Sequence, residues 1–592
     1  MLKEVIEVFE KEYRKGSISG NKDYYITKDH IPAGGEYIIL HETDNGFTTD
    51  EPIIIKMDKK TRMIETTNPY FDFIQYADYM SRYLESNKSI TTDKNIHSNN
   101  YLTLFVKKEN LLNGKITQET LTSYYEVFKE PYKKKYTKTQ LKKSYEALEE
   151  KYGKSDKDRI DKIERWVKEN LFHLVSENDS GYLKLFFFQD LEEYQKESEK
   201  YILTNIYNSA DYNAVIDQTI YGVPNNNMGL NSKKPFLEQK SRKNSVPILL
   251  SQEEVLLQKK FFDYLNNMAT KGKVNLYFSE EDILPLDNDT NPDLDFCGYF
   301  MRIEKGMEPE IHDFDIITSY SNQIKPLKIK NILKIQSSNL EYKTVYTLSE
   351  LKKIIDSLLF RNKLSKNYFT EASKIRIYDE ILKKNLLLTR KRLFDWFYKG
   401  IDDNVWDVLK RSCLDLTKGS IYMGELWKDG GRARELFNFY ISLKCYFEGR
   451  EYMDRSSVDV EKLRIKVNQV ITSCIESDKE YYFAVGQLTN YFISLSKAKT
   501  KNHFLAKPIL TAKSNVKIKS ELKKLYVKYM YDIKMGRRFH NLYGMICLYI
   551  LQNQEVDEDA LLAGFLHSSL IYEVEDSDNK DAKEVDTEKE TD

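Results

Sequence analysis

The apolar positions of this chain follow two different periods, and the changes between them divide it. Residues 2–14 carry apolar side chains at helical spacing, and Gly16 ends that run. Runs with the character of strands come next, at 24–27 (Tyr-Tyr-Ile-Thr), 36–40 (Glu-Tyr-Ile-Ile-Leu) and 53–56 (Ile-Ile-Ile-Lys), with Pro32-Ala33-Gly34-Gly35 as a turn. A helix is expected over 70–84, carrying Phe71, Phe73, Ile74, Tyr79 and Tyr83. His97-Ser98-Asn99-Asn100 then leads into a strand at 101–106, most of 117–174 reads as helix, and 181–190 reads as a buried strand. Ser251, with Glu254 three residues later, gives the capping-box pattern at the start of another helix.

Between residues 275 and 346 short β-like runs alternate with turns, and beyond Leu348 the pattern is helical almost throughout. One of these helices is expected over 460–475, with Val460, Leu463, Val467, Val470, Ile471 and Cys474 on its buried face. The predicted fold class is α+β: a mixed N-terminal region with short strands and helices, followed by an all-helical C-terminal bundle. A chain of 592 residues is expected to form several domains, and the pattern divides at 1–270, 271–346, 347–452 and 453–572. The remaining tail, 573–592, has ten acids, three lysines and few apolar residues, and is expected to be disordered.

One stretch fits neither period. Residues 222–247 combine Gly, Asn and Pro, which favour turns, with the apolar anchors Met228, Leu230, Phe236 and Leu237. A loop held in this way presents short amides and lysines at a fixed place. Asn225, Asn226, Asn227 and Asn231 have donor and acceptor together, which suits base edges, while Lys233 and Lys234 suit phosphates. The same composition also fits an ordered surface loop whose asparagines cap its own turns. His97 and its two asparagines carry the same pair of readings, nucleic-acid contact or a capping cluster.

Net charge is −1, from 91 Lys+Arg against 92 Asp+Glu, so any basic surface has to be local. Residues 497–538 hold thirteen Lys/Arg against two acids, Glu521 and Asp532. The candidate phosphate contacts there are Lys497, Lys499, Lys501, Lys513, Lys517, Lys523, Lys524, Lys528, Lys534, Arg537 and Arg538. In the helix beginning near Val516, Ile518, Leu522, Leu525, Tyr526, Tyr529 and Ile533 group on one side, and Lys517, Lys523, Lys524, Lys528 and Lys534 on the other. Such a stripe suits a polyanion track; a solvated helix face or one meeting an acidic protein is the alternative. A second basic run, 132–143, has six lysines and no acid, interleaved with tyrosine.

Catalytic signatures are missing. No Walker lysine motif, HExxH, GxSxG or Cys-His constellation occurs, and His312-Asp313 has no further ligands at a metal-site spacing. No cofactor or metal is expected, and the chain reads as a binder rather than an enzyme. Cys297, Cys413, Cys445, Cys474 and Cys547 are odd in number and far apart, so neither a zinc ribbon nor a disulfide framework is supported and a reduced, cytoplasmic protein is expected. Residues 1–16 form an amphipathic pattern with acids inside it, unlike a signal peptide, and no run of eighteen apolar residues predicts a membrane span.

Three segments carry a family resemblance. The loop at 222–247, Lys-Asn-Ile-His-Ser-Asn-Asn-Tyr and onward at 94–111, and Gly-Gln-Leu-Thr-Asn-Tyr and onward at 486–504 resemble, in the same order, segments of the large subunit of type I-B CRISPR Cascade complexes, the Csh-type family. The resemblance implies a non-catalytic subunit that recognises a protospacer-adjacent motif in duplex DNA and helps open it for crRNA pairing. Its implied partners are crRNA, target double-stranded DNA, the Cascade backbone and handle-binding subunits, and a helicase-nuclease recruited transiently. It also implies a small subunit translated from an internal start, for which Met453 is well placed. The competing classes are a nuclease with an unrecognised acidic site and a structural scaffold whose basic face meets an acidic protein.

Overall fold

The computed structural model describes the chain apart from residues 1, 19–20, 45, 59–63, 65–67, 176–179, 209–211, 218, 225–248, 307–308, 427–430, 450–458, 472, 498–502 and 573–592, and the side chains of 86, 139 and 140. The protein is α+β, with strands concentrated before residue 348 and helices after it. It divides into two compact units, Met1–Thr290 with Phe296–Thr318, and Asn291–Asp295 with Ser319–Asp592.

The first unit is built on a five-stranded sheet of β1 (Gly35–Thr43), β2 (Gly46–Thr49), β3 (Ile53–Ile55), β4 (Thr103–Lys107) and β5 (Tyr182–Phe187), in the order β2-β1-β5-β4, with β3 also pairing β1. β1 and β5 run parallel, with Tyr37 opposite Lys184 and Ile39 opposite Phe186. The run Leu183 to Phe187 is buried throughout, because both faces of the sheet are covered. Phe186 meets Phe73 of the helix Phe71–Ser81 on one face, at 6.4 Å between ring centroids. Phe187 meets Trp166 of the helix Lys157–Asn170 on the other, at 6.1 Å. Successive side chains of a strand point to opposite faces, so one apolar run serves two layers. A four-stranded sheet ordered Ile283–Asp287, Lys273–Phe278, Phe296–Lys305 and Pro309–Tyr320 follows the helix Gln252–Lys271, whose capping box between Ser251 and Glu254 is fully formed.

Tyr24–Thr27 departs from the strand its composition predicts and makes one turn of helix. Tertiary packing overrides the β propensity here. Tyr25 stacks on Tyr264 at 5.6 Å, and the Ile26 carbonyl accepts a hydrogen bond from Asn267 Nδ2 at 3.0 Å, which a strand at this place would not allow.

In the second unit a hairpin of Gln323–Lys328 and Thr344–Thr347 precedes the helices. The helix Asp478–Ser494 packs against Glu558–Leu566 so closely that an added Cβ on Gly486 would lie 2.3 Å from the Leu561 carbonyl oxygen, and one on Gly564 2.0 Å from that of Phe483. Gln487 Nε2 donates to the Gly564 carbonyl at 2.6 Å and Asn490 Nδ2 to that of Phe565 at 2.7 Å. The Gly-Gln-Leu-Thr-Asn segment is therefore a helix-crossing device.

The helix expected over 460–475 ends at Asn468. Asn541 Nδ2 takes the carbonyls of Val467 and Gln469 at 3.0 and 2.8 Å, and Arg538 Nε bonds Asn468 Oδ1 at 2.6 Å. These side chains satisfy the end of the helix and turn the backbone extended at Gln469. Leu463 and Val467 are buried as expected, but Val470 and Ile471 are 83% and 81% exposed and Cys474 is exposed too.

Candidate nucleic-acid interface

The residues singled out from sequence fall into four groups with different surroundings. His97-Ser98-Asn99-Asn100 faces inward. Asn99 Nδ2 donates to the Met80 and Arg82 carbonyls, both at 2.9 Å, Asn100 Nδ2 donates to Ser81 Oγ at 2.9 Å, and His97 Nδ1 meets the Tyr182 hydroxyl at 3.0 Å. Ser98, Asn99 and Asn100 are at most 1% exposed. The cluster caps the end of the helix Phe71–Ser81, and nucleic-acid contact through its asparagines is closed to it.

Three of the six lysines in the basic run 132–143 pair with acids. Lys133 pairs with Glu130 at 3.3 Å, Lys134 with Glu126 at 2.6 Å and Lys142 with Glu146 at 3.8 Å, acids that lie just outside the run. Lys135 turns inward and donates to the Ser89 carbonyl at 2.6 Å; burial, and then the charge of Lys88, lower its pKa to about 7. Tyr136 stacks on Tyr145 at 4.2 Å, so this tyrosine is core rather than a stacking platform. His312 lies between Glu304 and Glu310, and among the described residues no group of three or more His, Cys, Asp or Glu is placed to hold a metal ion. Asn225, Asn226, Asn227, Asn231, Lys233, Lys234, Lys499, Lys501 and Met453 lie outside the described residues.

The C-terminal basic residues form a surface. The helix Asn515–Tyr529 buries Ile518, Leu522, Leu525 and Tyr529, and Ile533 is buried just beyond its end. At 100° per residue the exposed arc has Lys517, Lys524 and Lys528 along one edge and Lys519 and Lys523 along the other, with Val516, Ser520 and Val527 between. The stripe is thus two rows rather than one, and Lys517 to Lys528 spans about 16 Å at 1.5 Å per residue. Lys534 and Arg537 extend it and are exposed.

Acidic partners remove part of the list. Lys497 pairs with Asp532 at 2.6 Å, Lys524 with Glu521 at 2.8 Å, and Lys513 approaches Glu558 at 3.9 Å. Arg538 is half-buried and holds Asn468, so it serves the fold rather than the surface. Lys517, Lys523, Lys528, Lys534 and Arg537 have no acidic partner among the described residues. Exposed pairs of the other kind are weak and open readily to a competing phosphate.

Sequence reasoning overlooked two contributors. Lys519 belongs to the second row and is exposed, with its ammonium 5.9 Å from the Tyr481 ring. Tyr531 is 92% exposed between the helix and Lys534, and Val516 and Val527 are also open to solvent. An aromatic ring standing free among lysines is the arrangement on which an unpaired base stacks. The alternation Lys528-Tyr529-Met530-Tyr531 was its signal in the sequence, but only the fold separates buried Tyr529 from exposed Tyr531. No helix among the described residues is long and apolar enough to cross a membrane.

Comparison with protein-family models, with characterised proteins and with solved structures found no match.

Proposed function

We propose that this chain is the non-catalytic large subunit of a type I-B Cascade complex, working in antiviral defence. The observation that carries the nucleic-acid part is the cationic face of Lys517, Lys523, Lys528, Lys534 and Arg537, which has no acidic partner among the described residues, in a chain whose overall charge is close to zero. Neutralising phosphates there releases condensed counterions, a gain that requires no sequence-specific contact. The face and Tyr531 suit a displaced single strand or the guide-target heteroduplex. The assignment to Cascade rests on the three sequence segments and their order.

In this reading base pairing with crRNA reads the target and the protein reads a short motif. The motif readers are Asn225, Asn226, Asn227 and Asn231, with Lys233 and Lys234 on phosphates. Cleavage belongs to a separate helicase-nuclease, and the small subunit is a second product starting at Met453.

The test is co-purification from cells expressing the full operon, followed by RNA sequencing, intact-mass measurement and DNA binding. Discrete small RNAs with a repeat-derived 5′ handle, a fragment beginning at Met453 and discrimination between matched and motif-swapped duplexes are expected. A chain that purifies without RNA overturns the assignment, and metal-dependent cleavage by the purified chain would favour the nuclease class instead.

A further inference from the structure

A cleft within the second unit shares no lining residue with the cationic face. Its volume is about 1130 Å³, and its walls come from the segment 339–343, the stretch 350–362, residues 423–425 and the start of the helix Arg432–Glu448. One wall is built with an irregular backbone. The helix Leu348–Ile354 widens into a π-helical turn at Ile355–Leu359, and Arg361 and Asn362 then follow in the left-handed region with φ of 53° and 57°. A non-glycine residue in that region is costly, and two in succession persist only when the surroundings fix them.

Asp356 does the fixing. Its carboxylate is buried and accepts the backbone N–H of Leu364 at 2.8 Å and of Ser365 at 3.1 Å, while its carbonyl accepts that of Asn362 at 2.9 Å. The result is a particular placement of Arg361 on the rim. Lys353, Ser357 and Arg361 all line the cleft.

The lining has four cations, Lys343, Lys353, Arg361 and Arg432, and four carboxylates, of which Glu341 and Glu350 are both held by Lys343. Arg361 donates to both oxygens of Glu425, at 2.8 and 3.1 Å, and Arg432 Nε approaches the same carboxylate at 3.6 Å. Two guanidiniums thus share one carboxylate. Arg432 also donates to the Leu359 carbonyl at 3.3 Å, and burial together with the nearby charge of Arg361 lowers its pKa. Lys353 is exposed and has no acidic partner among the described residues. Glu435, one turn from Arg432 on the same helix, is engaged by Ser338 Oγ and the N–H groups of Asn339 and Leu340.

We propose that this cleft binds a nucleotide phosphate, held by Lys353, Arg361 and Arg432, with Glu425 occupying the arginines when no ligand is bound. A phosphate has the charge and the paired oxygens to replace the carboxylate on Arg361, and the fork of a guanidinium fits either group. The cleft is large enough for the base and sugar as well. The phosphate can belong to a free nucleotide or to one residue of a strand. The inference uses none of the residues of the cationic face and stands or falls without it.

Calorimetric titration of the full chain with AMP and with the ten-nucleotide strand dT10, at low salt, tests it. Binding of AMP that weakens roughly tenfold in Arg361→Ala and in Lys353→Ala, and tightens in Glu425→Gln, is expected for a free-nucleotide site. The same pattern with dT10 alone assigns the phosphate to a strand. Arg361 and Lys353 are exposed, so their variants are expected to keep the melting temperature of the parent chain. Affinities for both probes that do not respond to these three substitutions, or no binding of either, overturn the proposal.

Discussion

Asp78→Ala is expected to destabilise the first unit by about 3–5 kcal/mol, since it strands a buried cation. Asp78 is 1% exposed and Lys184 3%, and they bond directly, while His30 Nε2 lies 2.8 Å from the other carboxylate oxygen. Lys184 sits in the middle of β5 with its ammonium 4.5 Å from the Phe105 ring and 5.0 Å from that of Tyr37. The cluster therefore ties the helix Phe71–Ser81 to the central strand of the sheet. Replacing both charges, in Asp78→Ala with Lys184→Met, is expected to recover much of the loss, because no uncompensated charge then remains. Hydrogen exchange of the β5 amides measures the effect locally; protection in Asp78→Ala equal to that of the parent would contradict it.

The cluster also predicts acid lability. Burial alone would raise the Asp78 pKa, but the Lys184 charge and the His30 hydrogen bond more than offset it and hold the carboxyl below its ordinary value. Its contribution is fully present above that ordinary value, 3.8, and is lost as pH falls through the lower folded value. His30 acts earlier. Burial first, and then the charge of Arg82, push its pKa below the ordinary 6.5, so the unfolded chain takes up a proton that the folded chain refuses. Protection of β5 is expected to decline as pH falls below 6.5.

Gly564→Ala is expected to cost about 3 kcal/mol or more, because the added methyl meets backbone on the facing helix and no side chain can move aside. The nearest atoms are the Phe483 carbonyl oxygen and carbon, at 2.0 and 2.7 Å from the Cβ position. Separation of the helices would also strain the bonds from Gln487 and Asn490 to the carbonyls of Gly564 and Phe565. Gly536→Ala is the control: nothing lies within 4 Å of its Cβ position. A melting temperature lowered by Gly564→Ala and unchanged by Gly536→Ala is expected, and equal melting of the two variants would contradict the close crossing.

Much of this architecture was legible in the sequence where one physical term dominates. The buried run Leu183 to Phe187, the capping box at Ser251 and the apolar face of Ile518, Leu522, Leu525 and Tyr529 all follow from local pattern. The errors arose where distant residues decide. Tyr24–Thr27 is helical because Tyr264 and Asn267 hold it, and the helix after Val460 stops because Arg538 and Asn541 take its end. Lysine count alone overstated the candidate interface. It could not distinguish Lys497, Lys513 and Lys524, which pair with acids, from Lys517 and Lys523, which have no acidic partner among the described residues. Asp532 and Glu558 are remote in sequence from Lys497 and Lys513, so only the fold reveals those two pairs, whereas Glu521 is three residues from Lys524. The cleft around Arg361 left no periodic signal at all, because its backbone irregularity depends on the buried Asp356.

The cationic face is tested most directly by the salt dependence of single-stranded DNA binding, measured on the full chain and on a variant with Lys517, Lys523, Lys528 and Lys534 changed to Glu. For single strands each phosphate neutralised contributes about 0.7 to the slope of log affinity against log salt. The parent chain is expected to bind with a steep negative slope, and the variant to lose both affinity and most of that slope. Equal affinity and equal slope in the two proteins would contradict the assignment of this face to nucleic acid.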